Sequence, residues 1–129
     1  MEVSQLHILI GWGSMIMGAL SGAIIGLFFH RDEWAGGYAS FRRRLMRLGH
    51  IAFFGLGILN LLFGFTVQTL PMAEPFLTIS SMGFIVAVIA MPLCCFLAAW
   101  RKPFRHLFPI PVLGVMAGIV PIVMGGIGA

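Results

Sequence analysis

Charge is what this sequence has least of. Asp, Glu, Lys and Arg make up only 9% of its 129 residues, against about a quarter in an average soluble domain. Just four carboxylates, one tyrosine and two cysteines are present. There is no Cys-x-x-Cys pair, no haem-attachment Cys-x-x-Cys-His, no glycine-rich phosphate loop and no serine or cysteine nucleophile pattern. Cys94 and Cys95 are adjacent, too close on a helix for an ordinary disulfide, and read as inert buried thiols. What remains is apolar: 60% hydrophobic, with mean hydropathy +1.03. Exposing that much apolar surface to water would cost more than the roughly 5–15 kcal/mol by which a domain is stable. A soluble enzyme, a DNA-binding module and a disordered tail are excluded, and an integral membrane protein is expected.

Crossing about 30 Å of hydrocarbon takes roughly 20 apolar residues in a helix. Four segments qualify: 6–29, 48–67, 76–100 and 107–129, none of which contains Asp, Glu, Lys or Arg. The runs are continuous and do not alternate, so a transmembrane β-barrel does not fit. The expected fold is all-α, a single domain over 1–129 with four transmembrane helices in a compact bundle.

All eight basic residues fall in the first and third connections: Arg31, Arg42, Arg43, Arg44 and Arg47, then Arg101, Lys102 and Arg105. With four spans these connections share one side, while Glu2 and Glu74 lie on the other. The positive-inside bias then places both termini outside, in a bacterial-type inner membrane. The amino-terminal run lacks a basic leader and is too long for a signal-peptide core, so it is read as a retained span. The basic residues Arg42, Arg43, Arg44, Arg47, Arg101, Lys102 and Arg105 are candidates for lipid headgroups or a partner subunit, each worth about 1 kcal/mol beside an anionic leaflet. Nucleic acid is not an expected partner, because the charge is confined to two short loops beside the membrane.

Helices in lipid associate by close packing at small residues. Such residues recur at spacings of three, four and seven: Gly11, Ser14, Gly18, Gly22 and Gly26 in the first span; Gly57 and Gly64, with His50 and Asn60, in the second. The third span carries Gly83, Ala87, Ala90, Cys94 and Ala98, and the fourth Gly114, Gly118 and Gly125. These stripes are expected packing seams. Trp12, Trp34, Tyr38 and Trp100 fall near the expected interfaces, where amphipathic rings are favoured.

The absence of a carboxylate or arginine inside the spans removes the usual basis of coupled carriers and voltage sensors. Four histidines remain. His50 shares a face with Gly57, Asn60 and Gly64, and is expected to donate to a carbonyl of a neighbouring helix. A haem b held by two histidines is the sharper alternative, with His30 or His106 at suitable depth as the second ligand. His7 lies near the other membrane surface and is expected there as an interfacial residue. Zinc is disfavoured, because no histidine pair has i, i+4 spacing.

Three functions follow: a non-catalytic subunit of a larger membrane assembly, set by general analogy in respiratory or photosynthetic electron transfer; a haem b or quinone-linked electron carrier built on His50; and a small homo-oligomeric channel or carrier in which Asn60, Thr78, Ser80 and Ser81 line a path.

Overall fold

The computed structural model describes residues 1–126. Helices α1 (Val3–Phe28), α2 (Phe41–Thr69), α3 (Phe76–Trp100) and α4 (Pro109–Pro121) follow in order, and no β-strand occurs among the described residues. Counting the turns that flank α4, four segments are long and apolar enough to cross a membrane. α2 starts seven residues before the expected span, since the basic run 42–47 forms its first turns.

Local chemistry sets the boundaries. The Glu2 N–H donates to the Gln5 side chain at 3.3 Å, closing the first turn of α1. The Ser40 hydroxyl caps α2 by accepting from the Arg43 N–H at 3.2 Å. The Glu74 carboxylate accepts from the Thr78 N–H at 3.2 Å at the start of α3. α4 is the short one: 13 residues, about 20 Å at 1.5 Å per residue. Pro109 opens it, where a missing N–H does no harm, after a 3-10 turn over Lys102–Leu107. A single wide turn, Ile122–Gly126, follows it and contains Gly125 at φ +116°. Residues 127–129 of the expected fourth span lie outside the described residues.

The helices stand in an antiparallel row in chain order: α1 on α2, α2 on α3, α3 on α4. Contact between α1 and α3 is slight, and α1 and α4 have no substantial contact among the described residues. The bundle is therefore an open row where a compact bundle was expected. The reason lies in the seams. α2 presents Gly57 and Gly64 to α1 and packs Ala52 and Leu56 against Ala87 and Val88 of α3. The other face of α3, with Gly83, is filled by Gly114 and Gly118 of α4. Each inner helix uses two faces on its sequence neighbours, which sends α1 and α4 to opposite flanks.

Arg43 departs from the headgroup role expected of the basic residues. It is 2% exposed, and its guanidinium donates to Trp34 O at 2.7 Å and to Arg31 O. It also lies 5.5 Å from the Trp34 ring centre and 5.7 Å from that of Phe29. The connecting turn runs through Ala35, Gly36 and Gly37, all at positive φ. Arg31 O and Trp34 O each accept a backbone N–H within this turn, from Trp34 and Gly37 at 3.2 Å, and the guanidinium, with five donors in a fork, adds a second bond to both from one position.

Candidate functional site

The polar centre of the molecule is built from three helices. His7, in the second turn of α1, is fully buried, as are Asn60 of α2 and, at 8% exposure, Ser81 of α3. His7 Nδ1 lies 2.7 Å from Asn60 Oδ1, and Nε2 lies 2.8 Å from Ser81 Oγ. The Asn60 amide nitrogen donates to Leu56 O at 2.8 Å, which turns its oxygen toward the imidazole. An amide oxygen only accepts, so Nδ1 carries the proton and Nε2 accepts from the Ser81 hydroxyl. A directed chain thus runs from Ser81 through His7 and Asn60 to a backbone carbonyl. Phe63 stands edge-on to the His7 ring at 4.6 Å and shields it.

Hydroxyl, imidazole and amide in this order resemble the start of an activated serine site. Near the start of α3, the N–H groups of Leu77, Thr78 and Ile79 are taken by Ala73 O, the Glu74 carboxylate and Pro75 O. Ser81 and His7 lie away from the surface depressions described below. The arrangement is a clasp across three helices. Next to it, the buried Ser80 hydroxyl has no hydrogen-bond partner among the described residues.

His7 was expected at an interface, and it is the member of this centre that sequence reasoning misplaced. A histidine five residues into a span reads as interfacial by depth alone. Its partners lie 53 and 74 positions away and become visible only when the helices are assembled. One signal was available: His7 shares the small-residue face that carries Gly11, Ser14 and Gly18.

His50 is half-buried. Its Nδ1 lies 2.7 Å from Gly18 O and 3.4 Å from Ser21 Oγ. The ring lies so close to Gly22 that an added Cβ there would come within 2.4 Å of it. Here glycine serves close approach between an imidazole and a helix backbone. The cavity beside His50 measures about 220 Å³, below the roughly 300–1,000 Å³ of typical ligand sites. His30 and His106, the candidate second haem ligands, are exposed and share neither a hydrogen bond nor this cavity with His50. The structure does not bring the three histidines together, and no cluster of metal-binding side chains occurs among the described residues.

The expected packing residues divide. Ser14 donates to Phe53 O across the α1·α2 seam at 2.6 Å. Gly18 meets Phe54, Gly22 meets His50, Gly57 faces Gly11 and Gly64 meets Ser4 and Ile8. Gly114 and Gly118 pack on α3. Gly26 does not belong with them: it is exposed, with nothing within 4 Å of an added Cβ, although α2 extends past its level. Gly125 likewise meets open space. The residues expected to line a path are divided between the surface and the interior. Thr78 walls an exposed depression between α3 and α4, while Asn60, Ser80 and Ser81 are buried.

The remaining basic residues gather at one end of the row. Arg42 donates from Nε to Ala99 O at 2.9 Å, and Arg47 to Tyr38 O at 3.2 Å. Arg101 lies over the Trp100 ring at 4.9 Å and Lys102 over Phe41 at 5.3 Å, while Arg44 and Arg105 are exposed. No protein family, curated protein or solved structure matches the chain.

Proposed function

We propose that this chain is a non-catalytic integral membrane subunit that packs into a larger assembly of membrane proteins, with an electron-transfer complex of a bacterial-type inner membrane as the setting and both termini outside. The observation that carries this reading is the supply of close-packing surface left over by the open row. Gly13 and Gly26 on α1 and Gly55 on α2 are exposed with open space before them, while the internal seams use other glycines. In lipid, such positions are where a further helix approaches most closely. The polar groups inside the helices support the same reading, since His7, Asn60, Ser81, Ser14 and His50 are engaged with one another or with backbone.

Mild-detergent extraction followed by native electrophoresis tests it. Reproducible partners in fixed ratio, cross-linking to cysteines placed at Gly13 and Gly26, are expected. A lone monomer of defined size in every mild detergent would overturn it. The same preparation is expected to be colourless. A Soret band and reduced α-band lost in His50→Ala would replace this reading with that of a haem-bearing electron carrier.

A further inference from the structure

We infer that the groove between α1 and α3 is a binding site for one anionic phospholipid, with an acyl chain along the groove and the phosphate at Arg42 and Lys102. The inference rests on the membrane reading above, and not on the identity of any partner subunit.

The groove exists because the row is open. α1 and α3 flank α2 without closing on each other, leaving a cavity of about 410 Å³ floored by Phe53 and walled by Met17, Val88, Pro92, Leu93 and Phe96. Its surface is almost wholly apolar, the lining expected for a hydrocarbon chain. At Phe96 it adjoins a second depression of about 490 Å³, which contains Arg42, Met46 and Trp100. Through Arg42, Ala99 and Trp100 this adjoins a third, of about 340 Å³, which adds Ser40 and Lys102. Apolar lining therefore gives way to a cationic, aromatic mouth along one continuous track.

Length and charge choose the occupant. The α3 residues along the track, Val88 to Ala99, cover about 16 Å at 1.5 Å per residue. That is close to half of the about 30 Å hydrocarbon thickness, the depth of one leaflet. The cationic end coincides with the basic-loop end of the molecule, where headgroups of that leaflet would lie. Arg42 uses Nε on Ala99 O, which leaves its two terminal nitrogens for a phosphate. Lys102 rests over the Phe41 ring. The four carboxylates of the chain, Glu2, Asp32, Glu33 and Glu74, line none of the three depressions, so no internal anion competes for the mouth. Trp100 is 62% exposed beside it, as an aromatic ring at headgroup depth is.

The test is native mass spectrometry of the full chain in mild detergent with added dioleoyl phosphatidylglycerol, phosphatidylcholine, or inorganic phosphate. A one-to-one phosphatidylglycerol adduct is expected, held about 30-fold more tightly than phosphatidylcholine, as about 1 kcal/mol for each of two cations requires. Arg42→Gln with Lys102→Gln should abolish this preference. Leu93→Trp fills the groove from a position already 53% exposed and should reduce occupancy by both lipids with the charges intact. Equal retention of the two lipids, wild-type binding by both variants, or inorganic phosphate displacing the lipid would each overturn the site, as would a protein helix cross-linking at Leu93 in place of lipid. Alkaline-carbonate extraction of the membranes separates the two levels of the inference. A chain that resists extraction but shows no lipid preference loses this site alone, whereas a chain that is extracted loses the membrane reading and the site with it.

Discussion

The α1·α2 and α3·α4 seams both bring backbones into contact through glycine, yet they fix their alignment by different means. At α1·α2, Gly11 meets Gly57, and side-chain hydrogen bonds cross the seam from His7 to Asn60, from Ser14 to Phe53 O, and from His50 to Gly18 O with Ser21 Oγ beside it. At α3·α4, Gly83 meets Gly114 and Gly118, and among the described residues no side-chain hydrogen bond joins the two helices; Cys94 Sγ reaches only Leu107 O, in the turn before α4, at 3.7 Å. A directional bond between buried groups admits one register, because sliding by a turn leaves each partner unpaired in an apolar medium. A glycine seam is specified by shape alone. The first seam can lose a contact and keep its register; the second depends on every small residue that allows the approach.

The sharpest way to break this contrast is Gly83→Ala. Its Cβ would fall 2.5 Å from Gly118 N and 2.6 Å from Gly114 O, backbone atoms that cannot turn aside. A loss of about 3 kcal/mol is expected in mixed-micelle unfolding, at the upper end for overpacking, with cysteine cross-links between α3 and α4 lost and those between α1 and α2 kept. A loss under about 1 kcal/mol would show the seam to be as adaptable as its neighbour.

Next in size is the clasp. His7→Ala and Asn60→Ala should each cost about 1–3 kcal/mol, since each leaves a buried partner unsatisfied. In a double-mutant cycle the pair should couple by about 0.6–1.7 kcal/mol. Simple additivity would mean that the hydrogen bond contributes nothing to the α1·α2 seam beyond volume.

Two adjacent serines sharpen the comparison further. Ser81→Ala removes the donor to His7 and should cost about 1 kcal/mol. Ser80→Ala removes a buried hydroxyl that has no partner among the described residues, and should be neutral or stabilising. Equal effects on thermal unfolding would contradict the assignment of Ser81 alone to the clasp. The smallest change is expected from Gly26→Ala, which meets open space on an exposed helix face. It should gain up to about 1 kcal/mol of helix propensity in the isolated chain; a loss would place Gly26 in a contact within the chain.

The stripes of small residues were legible in the sequence because spacings of three and four hold a face together whatever the helix meets. Gly57, Gly64, Gly114 and Gly118 could be named without a structure for that reason. Gly26 continues the same arithmetic, yet packs on nothing, because periodicity reports a face and cannot report whether another helix meets it. Arg43 failed for a related reason. Among four arginines in six positions, composition makes all of them headgroup candidates, and only the fold shows which one points back onto the carbonyls of the preceding turn.

The sequence by itself determined four apolar helices, their approximate limits, the segregation of every basic residue into two connections and the faces along which helices approach. Each is a local or periodic property, set by 20-residue hydropathy and by 3.6 residues per turn. Tertiary structure alone decided that the row stays open, that His7 meets Asn60 and Ser81, and that a groove of leaflet depth ends beside Arg42. Those depend on which face of α3 receives α4, a choice between seams of nearly identical small residues that only the packed helices resolve.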